Sequence, residues 1–207
     1  MTVIASFEQT RRQSSTIVIL VTAVALLLGW VVKSSTQNRS RDFSHQGVSA
    51  KVPAGWLVQK GDDQQEATGP NQITRSISGD DPNLVFMTWD SLHPERRFGV
   101  SLYPSSADTT LASTASVRNL QRGQSLSTYR VIEETAVTVK GRDGYKVTFA
   151  YVDPGNMGDV PTVVQGADYY FDGDQTLVIT LEVDDAGISD AMSRFLKFLQ
   201  SVQEGKP

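Results

Sequence analysis

Few side chains in this 207-residue chain combine the types and spacing that chemistry needs. There are two histidines, His45 and His93, and no cysteine. A histidine beside a serine and a carboxylate could activate a hydroxyl nucleophile, yet no Gly-x-Ser-x-Gly elbow accompanies either one. Lack of cysteine removes thiolate nucleophiles, disulfides, thiolate metal sites and a lipid-modified cysteine. Asp80-Asp81, Asp172/Asp174 and Asp184-Asp185 offer the oxygens that hard cations take, but no run follows the twelve-residue calcium loop. Asp172-Gly173-Asp174 reads instead as hairpin-turn chemistry. The sequence holds neither a phosphate loop nor a dinucleotide fingerprint. The expectation is a protein that is not an enzyme, with no metal and no cofactor. What remains is Arg96 and Arg97, in the loop Leu92-His93-Pro94-Glu95-Arg96-Arg97, whose guanidiniums suit a partner's carboxylates. An outward Tyr or Trp beside them would complete a docking anchor.

These residues stand on an unevenly charged chain. Residues 1–41 carry Arg11, Arg12, Lys33, Arg39 and Arg41 against Glu8, a net of +4, and the remainder carries −8. An acidic domain repels phosphates, which argues against nucleic acid as a ligand. Between the two lies Ile17 to Val32, IVILVTAVALLLGWVV, uncharged and broken only by Thr22 and Gly29. About 16 helical residues span roughly 24 Å, and Thr16 with a snorkelling Lys33 extends that toward a ~30 Å hydrocarbon core. Ile17, Leu20, Leu26, Leu27 and Leu28 would meet lipid, with Trp30 at the interface. Gly29-Trp30-Val31-Val32-Lys33 supplies no small-x-small cleavage site, so an uncleaved single-pass anchor is expected. The expected division is a short cytoplasmic tail (1–15), a transmembrane anchor (16–33), a polar tether (34–42) and an exported domain (43–207).

Within that domain, Val48, Ala50 and Val52 alternate with polar residues, Pro53 and Gly55 turn the chain, and Trp56-Leu57-Val58 resumes as the second arm of an opening hairpin. Leu84 to Trp89 and Phe98 to Tyr103 are further strands. A helix is expected from a cap at Asp108 to a stop at Gly123, with Leu111, Ala115 and Val117 to Leu120 on its apolar side. Two hairpins follow. Tyr129 to Val139 and Tyr145 to Val152 are joined by Lys140-Gly141-Arg142-Asp143-Gly144, with Asp143-Gly144 as the turn signal; Val163 to Phe171 and Thr176 to Val183 turn around Asp172-Gly173-Asp174. Ile188, Met192, Phe195, Leu196, Leu199 and Val202 then make one face of an amphipathic helix. Consecutive hairpins with helices laid on them predict an α+β fold, an antiparallel sheet flanked by helices.

Gly47-Val48-Ser49-Ala50-Lys51-Val52-Pro53-Ala54-Gly55-Trp56 at the front, Asp143-Gly144-Tyr145, Ala167-Asp168-Tyr169-Tyr170-Phe171 and Phe195-Leu196-Lys197-Phe198-Leu199-Gln200-Ser201-Val202 at the back stand in an order that resembles the PsbP family. Its members are the lumenal extrinsic proteins of photosystem II and their bacterial relatives. The resemblance covers residues 43–203. It implies an α/β/α sandwich and a role in docking on, or stabilising, a larger complex, here with an N-terminal transmembrane helix that the plant protein lacks. The functional expectation is an accessory, non-catalytic subunit, its N-terminus cytoplasmic and its domain on the exported side. Its partners would be the membrane and the integral subunits of a photosynthetic or respiratory complex. The alternative is a membrane-tethered module that binds a lipid or small molecule.

Overall fold

Long alternating runs build the larger of two antiparallel sheets. The computed structural model describes residues 19–29, 39–62, 81–106, 108–154, 160–184 and 187–205. Two units result, residues 1–40 and residues 41–207. In the first, a helix, α1, runs over 19–29. Among the described residues no helix is long and apolar enough to cross a membrane. Leu20, Leu26, Leu27 and Leu28 lie on α1 and are exposed. Ile17, Trp30 and Lys33 of the expected anchor lie outside the described residues.

The second unit runs β1 (Ser40–His45), β2 (Val48–Pro53), β3 (Trp56–Lys60), β4 (Leu84–Asp90), β5 (Arg97–Pro104), α2 (Leu111–Ser125), β6 (Ser127–Val139), β7 (Arg142–Asp153), β8 (Thr162–Phe171), β9 (Gln175–Asp184), α3 (Ile188–Leu199) and β10 (Gln203–Glu204). Seven strands form one sheet in the order β3-β4-β5-β9-β8-β7-β6, and β1-β2-β10 form a second. Helix α3 and the small sheet close one face of the large sheet, and α2 lies on the other. The fold is therefore α+β, with helices on both faces of an antiparallel sheet.

The face under α3 is an aromatic core. Phe98 packs on Trp56, Phe195 and Phe198 at centroid separations of 4.3, 5.3 and 5.2 Å. Burying each such ring contributes about 1.5–3 kcal/mol. Helix α3 supplies Ala191, Phe195, Phe198 and Leu199; Leu196, expected inward, is part-exposed because the helix is rotated to seat Phe198.

Several local expectations change. Strand β1 starts at Ser40, so Arg41 and Asp42 belong to a strand and not to a tether; Arg41 donates to the Trp56 carbonyl at 3.2 Å. β2 and β3 are not a hairpin. The bend at Pro53–Gly55, with Gly55 at φ 81°, carries the chain from the small sheet to the large one, and Trp56 enters the core as expected. The β6–β7 turn falls at Lys140-Gly141, both at positive φ, the geometry of a two-residue hairpin loop. Asp143 instead pairs with Thr138 in the ladder and accepts its hydroxyl at 2.8 Å.

Candidate functional site

The largest departure from the sequence pattern is α2. Its cap is Thr110, in a reciprocal capping box with Ser113, not Asp108, and Gly123 lies inside the helix. Its buried face is Thr114, Ala115, Arg118 and Arg122, while Val117 and Leu120 are 57% and 66% exposed. The apolar pair points out and the arginine pair points in.

The reason lies in the strands beneath. Along β8 and β9 alternate residues face α2, which places Asp168 opposite Thr180 at the centre of the sheet, both fully buried. A buried carboxylate needs compensating charge. Arg122 donates to both Asp168 oxygens, one through Nη2 at 3.2 Å, and the Arg118 Nε lies 3.7 Å away. Tyr170 and Thr180 donate hydroxyls to the same carboxylate at 3.0 and 2.7 Å. Arg118 reaches on to Asp81 at 3.0 Å, which also accepts from Ser101 at 2.8 Å and Tyr103 at 3.0 Å. Two guanidiniums thus meet two carboxylates. Burial alone would raise Asp168, but Arg122 and Arg118 outweigh it and hold the carboxyl below its ordinary value. Burial also pushes the Tyr103 and Tyr170 hydroxyls up, away from ionisation. Arg122 is held over the Phe149 ring at 4.1 Å, and that ring lies on Gly166, where any Cβ would come within 2.2 Å of it.

This network ties α2 to the sheet. Its charged members are closed under α2, and for the buried Arg122 Nε no acceptor lies among the described residues. Sequence reading missed Arg118, Arg122, Asp168 and Thr180 as a group. The signal was present in Leu111, Thr114, Ala115, Arg118 and Arg122, which share one helical stripe, and in an aspartate set among apolar strand residues.

Of the residues singled out for chemistry, His45 sits 3.3 Å from Asp62 and His93 sits 3.1 Å from Glu95, far apart in the chain and each with its own carboxylate. Asp81 is committed to Arg118, while Asp80 and Asp185 lie outside the described residues. Among the described residues no group of three metal-ligating side chains gathers. Arg96 and Arg97 are separated: Arg96 reaches Asp190 on α3 at 2.8 Å, whereas Arg97 bonds the Pro94 carbonyl at 2.8 Å on the α2 side of the sheet. There the register aligns Leu57, Trp89, Arg97 and Glu182 across β3, β4, β5 and β9. Leu57 is 50% exposed, Trp89 and Arg97 are half-buried, and Leu92 in the β4–β5 loop is 83% exposed. An aromatic and an arginine therefore do stand side by side, with leucines at the rim.

No family model and no curated protein matches the chain. Solved structures do. Cyanobacterial PsbP (CyanoP) from Synechocystis sp. PCC 6803 is similar with a TM-score of 0.52 at 14% identity, over 80% of this chain and 92% of that one. The Ran-binding protein Mog1p of Saccharomyces cerevisiae gives 0.49 at 12% identity, over 80% and 95%. LpqN of Mycobacterium tuberculosis, involved in cell envelope biogenesis, gives 0.43 at 11%, over 80% and 91%. At such identities the likeness to CyanoP shows the fold, which is PsbP-like, and extends neither to a membrane anchor nor to a photosynthetic role.

Proposed function

We propose that the chain is a membrane-anchored, non-catalytic accessory module whose folded domain docks on an integral membrane complex. The observation that carries the reading is α1. Its seven large apolar side chains, Ile19 through Leu28, are 48–71% exposed, and no residue of 19–29 is charged. A surface of that kind is covered by lipid or by another apolar helix. The domain side of the reading is supported by where its charges go: the strongest polar constellation holds the fold together, and the Leu57–Trp89–Arg97 row is left as a surface with anchor composition. The domain faces the exported side, with the tail at 1–15 cytoplasmic.

Fractionating cells that express the full chain tests the anchor. Retention of the wild type in membranes through alkaline extraction, and release of a Leu26→Arg/Leu27→Arg variant, is the expected result. Release of the wild type would overturn it.

A further inference from the structure

The geometry points to the outer edge of β6 as a self-pairing edge, through which two copies of this chain join their sheets across a two-fold axis at Ala136. β6 is thirteen residues long and lies at one end of the seven-stranded sheet. β3, at the other end, has five. Among the described residues only β7 pairs with β6. An open strand of this length offers a row of unmet N–H and C=O groups.

The two halves of β6 differ. Register shifts between Ser127 and Arg130 and between Val131 and Glu133 kink the first half, a feature that blunts an edge. From Glu133 to Val139 the pairing with β7 runs without interruption into the Lys140-Gly141 turn. In a two-residue hairpin the closing pair exchanges both ladder bonds. Val139, Val137, Thr135 and Glu133 therefore spend their backbone groups on β7, and Thr138, Ala136 and Glu134 turn theirs outward. The Ala136 carbonyl accepts from the Thr135 hydroxyl at 3.3 Å, a bond long enough to yield to a strand.

This outward set is self-complementary. With antiparallel pairing centred on Ala136, Glu134 of each copy faces Thr138 of the other, Thr135 faces Val137, and the small Ala136 side chains meet on the axis. No like charges stand opposite one another, and Glu133 comes next to the Lys140 turn of the second copy, an opposite charge. Seven residues of strand bury less than the ~1,200 Å² of a durable interface, so the dimer is weak in dilute solution and is captured by cross-linking.

The chain has no cysteine, so single substitutions report the register directly. Full-length Ala136→Cys in mild detergent at high protein concentration should form a disulfide dimer under mild oxidation, because opposed Cα atoms lie about 5.5 Å apart. Thr138→Cys alone should not, since its copies lie about 14 Å apart in this register. Mixing Thr138→Cys with Glu134→Cys should restore cross-linking. No dimer with Ala136→Cys, or equal yields at 136 and 138, would overturn the proposal. Neither outcome bears on membrane retention, so the two readings fail separately.

Discussion

The two faces of the seven-stranded sheet are assembled by opposite means. Tyr169 and Ile179 are register partners on the α3 side, and Asp168 and Thr180, their immediate chain neighbours, are partners on the α2 side. The first pair joins a core of Phe86, Phe98, Phe195 and Phe198, where burial of apolar area acts without direction. The second joins an ion network of directed bonds, in which each carboxylate and hydroxyl has a named partner. Apolar burial tells α3 to lie on the sheet. The network tells α2 where to lie, since only one rotation brings Arg118 to Asp81 and Arg122 to Asp168. Desolvating four charges costs several kcal/mol each, so the α2 face contributes placement more than stability, and the aromatic face carries the fold.

That contrast is most severely strained by removing one charge from the network. Asp168→Ala leaves Arg122 buried without its counter-ion and should cost about 3–5 kcal/mol in denaturant unfolding. A loss under 1 kcal/mol would mean that the network is wetter than its geometry implies. The same carboxyl makes the α2 face pH-dependent. Because its folded pKa lies below its unfolded value of 3.8, its contribution is complete above that value and is lost as pH falls through the folded one. The stability difference between wild type and Asp168→Asn should therefore shrink in acid below about pH 4, while that for Ile179→Val on the other face should not change. Gly166→Ala comes next, at about 1–3 kcal/mol, because Phe149 must leave its place under Arg122. The smallest effect belongs to Leu120→Lys on the exposed side of α2, within about 0.5 kcal/mol by thermal unfolding.

The same contrast explains what was legible beforehand. The α3 stripe, the strands from Leu84 and Phe98, and the second hairpin follow ordinary periodicity, and Phe195 and Leu199 are where the pattern places them. α2 reverses the rule that apolar residues turn inward, so Val117 and Leu120 misled and Arg118 and Arg122 were overlooked. Only knowledge that Asp168 lies beneath the helix resolves that, and it depends on the pairing of distant strands. Asp143-Gly144 is the stronger turn signal in isolation, yet the Thr138 bond to Asp143 favours closure three residues earlier. Arg96 and Arg97 were visible as a pair, but strand alternation sends them to opposite faces, and the Trp89 neighbour of Arg97 is set by β4–β5 register.

As a docking module, the proposed role of this domain, it would make its contact through the row of Leu57, Trp89 and Arg97. Affinity purification of the full chain from native membranes in mild detergent tests it most directly, with Leu57→Arg as the comparison because Leu57 is already half exposed. A membrane complex at fixed stoichiometry is expected with the wild type, and its loss with Leu57→Arg. A wild-type protein that emerges without a partner, or a partner retained undiminished by the variant, would contradict it.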